Sequence, residues 1–183
     1  VDIGAYHPIK YSNTYFFYKK GWQGINIDAK PSSMVRFNQK RSRDINLELG
    51  IHTSKGQADF YVFKESAFNT FSADIAKMCQ EQGQELIKKE VVPTDRLDNI
   101  LDKYIQVSKK IDFMSIDVEG LDLVVLQSNN WQKYRPRYIL VESHVEGIEE
   151  ILNSEVYLFL INQKYKLVSW TVITLIFRDN DFE

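Results

Sequence analysis

Four carboxylates lie in or directly after short apolar stretches that read as β-strands. They are Asp2 in Val1-Asp2-Ile3-Gly4-Ala5-Tyr6, Asp28 closing Gly24-Ile25-Asn26-Ile27-Asp28-Ala29, Asp117 after Ile111 to Ile116, and Glu142 after Tyr138 to Val141. An open α/β sheet binds ligands beyond the carboxyl ends of its strands, so this pattern gathers the acids on one rim. Such a rim suits a positively charged ligand better than a phosphate, which would call for lysines or a glycine-rich anion loop. Gly4 lets the backbone approach a ligand closely, and Asp28 leaves a carboxylate where a ribose diol can donate two hydrogen bonds. The competing role for Asp28 is to cap a helix opening at Pro31. A sulfonium cofactor matches the acidic field. A nicotinamide dinucleotide also uses an acid at the second strand tip, but its Gly-x-Gly-x-x-Gly turn is missing, because Gly4 is followed by Ala5-Tyr6-His7-Pro8.

The elements that would carry these groups alternate along the chain. After the Gly4 turn, Ser12 and Asn13 are N-cap types for a helix through Lys19 and Lys20, with Gly21 as its stop. Trp22 to Ile27 reads as a second strand, and Pro31 opens a second helix to about Arg41. Ile45 to Ile51 alternates apolar and polar residues, and a turn at Lys55-Gly56 leads into Ala58 to Phe63, as in a strand pair. Within 64–92, Ser72 or Ala73 starts a helix to Gln80, and Leu86 to Val92 is extended before Pro93. The 64–92 segment as a whole is irregular and reads as an acceptor lid, since long unstructured loops are often functional.

Asp95 to Tyr104 places Leu97, Ile100, Leu101 and Tyr104 on one helical face, and Gly120 to Ser128 forms the helix after the Asp117 strand. Helices around Ile148 to Leu152 and Ser154 to Gln163 precede two strands, Lys166 to Val172 and Thr174 to Arg178. Those two must run antiparallel, because a parallel crossover needs about a dozen residues.

The 183 residues, with 44% hydrophobic and 26% charged content, suit one domain spanning 1–183 that begins inside its first strand. The formal charge of −2 offers no basic field for nucleic acid or anionic membrane. Cys79 is the only cysteine, so a reducing cytoplasm and a buried, inert thiol are expected. No apolar run approaches the roughly 20 residues of a membrane helix.

Val1 to Pro8, Ser12-Asn13-Thr14-Tyr15, Gly21 to Asp28, and above all Ile116-Asp117-Val118-Glu119-Gly120 followed by Trp131 and Arg135-Pro136 resemble the FkbM family of S-adenosylmethionine-dependent O-methyltransferases over roughly residues 1 to 145. The resemblance implies a Rossmann-like class I methyltransferase fold: an open, mostly parallel seven-stranded sheet with an antiparallel C-terminal strand and helices on both faces. It implies that Asp2, Gly4, Ala5 and Tyr6 form the loop beside the methionine part. It further implies Asp28 on the ribose hydroxyls, Gly50 and Ile51 at the adenine wall, and Asp117 nearest the methyl group. Ser12, Asn13 and Thr14 either receive the methionine carboxylate through free backbone N–H groups or serve as simple caps. One departure is that Tyr6 and His7 stand where many methyltransferases place further glycines.

A hydroxyl acceptor must lose its proton as the methyl bond forms, to a base or with the help of a metal. Asp117, His144 and Glu142 form the expected catalytic group, with His144 or Asp117 as base, and Glu119 capping a helix or pairing with a basic neighbour. A divalent ion on Asp117 and Glu142 would be oxygen-rich and magnesium-like. The implied acceptor is a hydroxyl on a sugar, glycan or natural product, for which Tyr6, Tyr11, Phe68 and Phe71 could supply a stacking face. Two other readings remain, a non-catalytic nucleoside-binding module and a metal-dependent hydrolase built on the rim acids and His144.

Overall fold

The computed structural model describes residues 1–106, 109–145 and 147–181. In chain order its elements are β1 (Asp2–Ile3), α1 (Tyr15–Lys19), β2 (Ile25–Asp28), α2 (Met34–Lys40), β3 (Ile45–Glu48), β4 (Gly50–Ile51), β5 (Gly56–Phe63), α3 (Ala73–Glu81), β6 (Leu86–Asp95), α4 (Leu97–Tyr104), β7 (Phe113–Ile116), α5 (Asp122–Gln127), β8 (Tyr138–Glu142), α6 (Ile148–Asn153), α7 (Glu155–Asn162), β9 (Tyr165–Thr171) and β10 (Thr174–Asp179). Seven strands form one sheet in the order β3-β2-β1-β7-β8-β10-β9. Its pairings are parallel except around β10, which runs antiparallel to both β8 and β9. The expected α/β sheet with an antiparallel C-terminal strand is therefore present.

The sheet separates two chemically different interiors. Ile3, Ile25 and Ile27 turn to one face, where they join Leu97 and Leu101 of α4, Val125 and Leu126 of α5, and Leu160 of α7 in the main apolar cluster. Side chains alternate along a strand, so Asp2 and Asn26 turn to the other face. There Ala5 packs with Met34 and Phe37 of α2, beside a buried polar network. Arg41, 2% exposed, donates through Nε to Asp44 at 2.8 Å, and Asp44 also accepts from the Gly24 N–H and the Asn26 amide.

Boundaries shift where side chains have other work. Trp22 does not extend β2: its N–H closes the turn after α1 on the Phe17 carbonyl, and its ring packs against Phe17 and Phe113. Pro31 starts a turn rather than the helix itself, since Ser33 is the N-cap of α2. Ile45 to Ile51 is not one strand. It splits at Leu49, β3 joining the large sheet and β4 pairing in parallel with β6 in a second, three-stranded sheet. The hairpin expected between 45–51 and 58–63 does not form, because β5 pairs antiparallel with β6 across the intervening α3. Pro93 is tolerated inside β6 because β4 reaches only Thr94 and Asp95, which leaves Pro93 a ladder partner on one side alone. The 64–92 segment is thus no loose lid, but a short 3₁₀ turn (Ser66–Phe68), a Ser72-capped helix and a strand.

Trp131 and Arg135, both in the family-like stretch, serve the scaffold. The indole of Trp131 donates to the Leu126 carbonyl at 2.9 Å, and Arg135 pairs with Asp179 of β10. The Arg41–Asp44 pair should be the most sensitive polar contact of the fold, since deleting one partner strands a buried charge. Asp44→Ala is expected to lower unfolding free energy by about 3 kcal/mol or more; an unchanged urea midpoint would show that water reaches Arg41 instead.

Candidate functional site

The site begins with a contact that only glycine allows. Gly4 follows β1 at φ +78°, and a Cβ built there would lie 1.7 Å from the Asp117 carbonyl oxygen. No side chain fits in that space, so the β1 turn and the end of β7 touch backbone to backbone. The N–H groups of Gly4 and Ala5 both donate to the Ile27 carbonyl, and the Asp117 N–H donates to Ile3. Tyr6 then adopts a left-handed conformation at φ +52°, doing without the glycine expected there. Its strain is offset by an N–H bond of 2.8 Å to Asp28 Oδ2. His7 closes the turn as an acceptor, its Nδ1 taking the N–H groups of Ile9 and Lys10.

Asp28, at the tip of β2, accepts Tyr6 N–H on one oxygen and Lys30 N–H on the other, each at 2.8 Å. It is not the N-cap of α2, a place held by Ser33. Each carboxylate oxygen keeps an unused lone pair for a ligand. Burial pushes its pKa up, and the two backbone donors pull it back.

These turns enclose a cleft of about 370 Å³ beyond the strand ends. Asp2, Gly4, Ala5, Tyr6, Ser12, Asn13, Asp28, Gly50, Ile51 and Asp117 all line it. Thr14 does not; it lies behind the wall, and its N–H is already donated to Ser12 Oγ at 3.3 Å. The second sheet and its connections supply the far wall, through Phe60, Glu65, Asn69, Thr70 and Phe71. Phe71 lies so close over Gly50 that a Cβ there would be 2.3 Å from its ring. Of the four aromatics expected to stack on an acceptor, Tyr6, Tyr11 and Phe71 face the cleft. Phe68 packs instead against the Phe63, Ala76 and Cys79 cluster.

The acids form a cluster at one end. Glu119 joins Asp117 in the cleft wall, while Glu142 and His144 stand just outside it. His144, exposed, places Nε2 3.3 Å from Glu142 Oε2 and 4.0 Å from Glu119 Oε2. Burial and a hydrogen bond with Glu142 push Asp117 up to about 7, and burial with the nearby Asp117 charge pushes Glu119 up to about 7. Glu119, Glu142 and His144 offer ligand atoms within 4.8 Å of one another, so a metal-capable set exists, but it pairs Glu142 with Glu119 and His144 rather than with Asp117. Glu119 has His144 as the basic neighbour expected for it, and it does not cap the following helix, whose N-cap is Leu121. The signal for its place in the cleft wall was the Asp-Val-Glu-Gly turn itself, in which Glu119 at φ +51° swings back beside Asp117.

A mostly parallel sheet of this order, with a reversed last strand and a cleft at its strand ends, together with the family match over most of the chain, makes this a Rossmann-like methyltransferase. Residues 2–167 match the Methyltransferase FkbM domain, and the chain belongs to that family. No curated protein and no solved structure matches the chain. No helix among the described residues is long and apolar enough to cross a membrane.

Crowding of the acids has a cost that pH reveals. Asp117 and Glu119 bind protons more tightly folded, near 7, than at their ordinary 3.8 and 4.5. The folded state therefore holds extra protons through that window, and stability falls as pH rises from about 4 to about 7. Asp117→Asn and Glu119→Gln are each expected to flatten that decline and to be more stable than the native chain at pH 8. Urea midpoints at pH 5 and pH 8 test this, and parallel curves for native and variant chains would contradict it.

Proposed function

We propose that the protein transfers a methyl group from S-adenosylmethionine to a hydroxyl oxygen of a sugar, glycan or natural-product acceptor. One observation carries the reading: a single cleft is lined both by Asp28 and by the Asp117–Glu119 turn. The residues present fit the cofactor. Gly4 opens a cradle that a Cβ would fill, and Asp28 keeps two lone pairs for a ribose diol. Among the described residues, Lys30 is the one basic side chain in a lining that holds Asp2, Asp28, Glu65, Asp117 and Glu119, a field that favours a cation. When bound, the cofactor supplies an electrophilic methyl group on a positively charged sulfur.

The chain's part is to position the acceptor and to move one proton. Asp117, with its pKa near 7, is partly ionised at neutral pH and is matched to take the hydroxyl proton as the new bond forms. His144, steadied by Glu142 just outside the cleft wall, is the alternative acceptor of that proton. The second sheet, through Phe60, forms the far wall of the cleft together with Phe71. The lone buried Cys79 suits a reducing compartment, which fits a cytoplasmic enzyme.

The geometry of Glu119, Glu142 and His144 favours one second reading, in which a divalent cation lowers the acceptor's pKa. Its mixed nitrogen and oxygen donors suit manganese or iron better than magnesium.

Asp28→Ala is expected to weaken S-adenosylmethionine binding at least about tenfold in calorimetry, as expected when a bidentate, charge-assisted contact is lost. Undiminished affinity would remove Asp28 from the site. His144→Ala should lower turnover far more than cofactor affinity, whereas matched losses would assign it a binding or folding role. Full activity after exhaustive chelation rules the cation out, and activity restored only by added manganese would rule it in.

A further inference from the structure

The corner of the cleft at the start of β1 is governed by one buried hydroxyl that never reaches the cleft. Thr14, 7% exposed, donates from Oγ1 to Asp2 Oδ2 at 2.6 Å and accepts from Arg41 Nη1 at 2.6 Å. Behind it, Arg41 is locked onto Asp44 through Nε and Nη2 at 2.8 and 2.7 Å. Arg41 also reaches Ser12 Oγ at 3.3 Å, and that oxygen takes the N–H groups of Thr14 and Tyr15. On the cleft side lie Asp2, Ser12 and Asn13, with the Asn13 amide pinned to Ser115 Oγ at 3.0 Å. A buried carboxylate stays ionised and oriented only while donors satisfy it. Thr14 takes Oδ2 of Asp2, so Oδ1 is the oxygen left for a ligand in the cleft.

We infer that Thr14 is a positioning residue for the amino-acid end of the bound cofactor, holding the Asp2 carboxylate and the Ser12–Asn13 turn in place through its bond to Arg41. The inference rests on the S-adenosylmethionine reading above. Burial pushes the Asp2 pKa up and the Thr14 hydrogen bond pulls it back, so the hydroxyl favours the ionised carboxylate, the natural counterpart of the ammonium group at the methionine end of such a cofactor. The adenosine end lies with Asp28 and does not depend on this relay. Loss of the Thr14 hydroxyl therefore weakens ligands according to whether they possess the amino-acid portion.

The test compares two ligands by calorimetry on the full chain: S-adenosylhomocysteine, which has that portion, and 5′-methylthioadenosine, which lacks it. Thr14→Val is expected to weaken the first about tenfold or more, the loss of a hydrogen bond to a charged group, and the second less than about twofold. Thr14→Ser keeps the hydroxyl and should bind both ligands as the native chain does. Should Thr14→Val fail to fold, Ser12→Ala carries the same comparison from the cleft side and is expected to show the same selective loss. Equal weakening of both ligands, or of neither, overturns the inference. A native chain that binds neither ligand overturns the cofactor assignment on which it stands.

Discussion

The contact between Gly4 and the Asp117 carbonyl is the constraint on which the remainder of the site depends. With a Cβ distance of only 1.7 Å, it forces the β1 turn and the β7 end into direct backbone contact. Because β1 lies between β2 and β7, closing that gap sets the Asp28 tip and the Asp117–Glu119 turn on the same cleft. Gly4, Tyr6 and Glu119, which all line this cleft, adopt left-handed backbone conformations. Tyr6 is held there by the bond of its N–H to Asp28.

The two faces of the sheet divide the work. One face carries the apolar cluster that supplies most of the hydrophobic driving force, built from Ile3, Ile27, Met114, Val141 and the helices over them. On the other face a polar network runs from Asp44 and Arg41 through Thr14 to Asp2. Such a network adds little net stability, but it admits few geometries, because every missing partner leaves a buried charge or donor unsatisfied. It reaches the cleft at one end, which ties ligand geometry to the scaffold. The acid cluster at the other end of the cleft is the opposite case, in which like charges are pressed together at the expense of stability and two carboxyls are pushed up to about 7.

Legibility followed the range of the interactions. Strand tips such as Asn26-Ile27-Asp28 and Ile116-Asp117 could be read because an apolar run ending in an acid is local information. The antiparallel close of β9 and β10 followed from the short connection alone. The split of 45–51 at Leu49 was hidden, because both halves show the same alternation and only their partners, β2 and β6, differ. Phe68 and Phe71 were indistinguishable as residue types, yet one packs behind α3 and the other covers Gly50. Trp131 and Arg135 stood out in the sequence for the same reason as Asp117, but their partners, Leu126 and Asp179, are parts of the scaffold.

By itself the sequence determined the alternation of strands and helices, the acidic strand tips and the family to which the chain belongs, because each is written in residues close to one another along the chain. Tertiary structure decided which side of a wall each residue occupies: Thr14 behind the cleft, Glu119 within it, His144 outside it beside Glu142. It also decided that Glu65, Asn69, Thr70 and Phe71 stand in the wall of the cleft, beside a sheet whose β5 and β6 find each other only across an intervening helix. The physical reason is that burial, shifted protonation and hydrogen-bond partners depend on distances in space, which pairings across many residues set and no local pattern encodes.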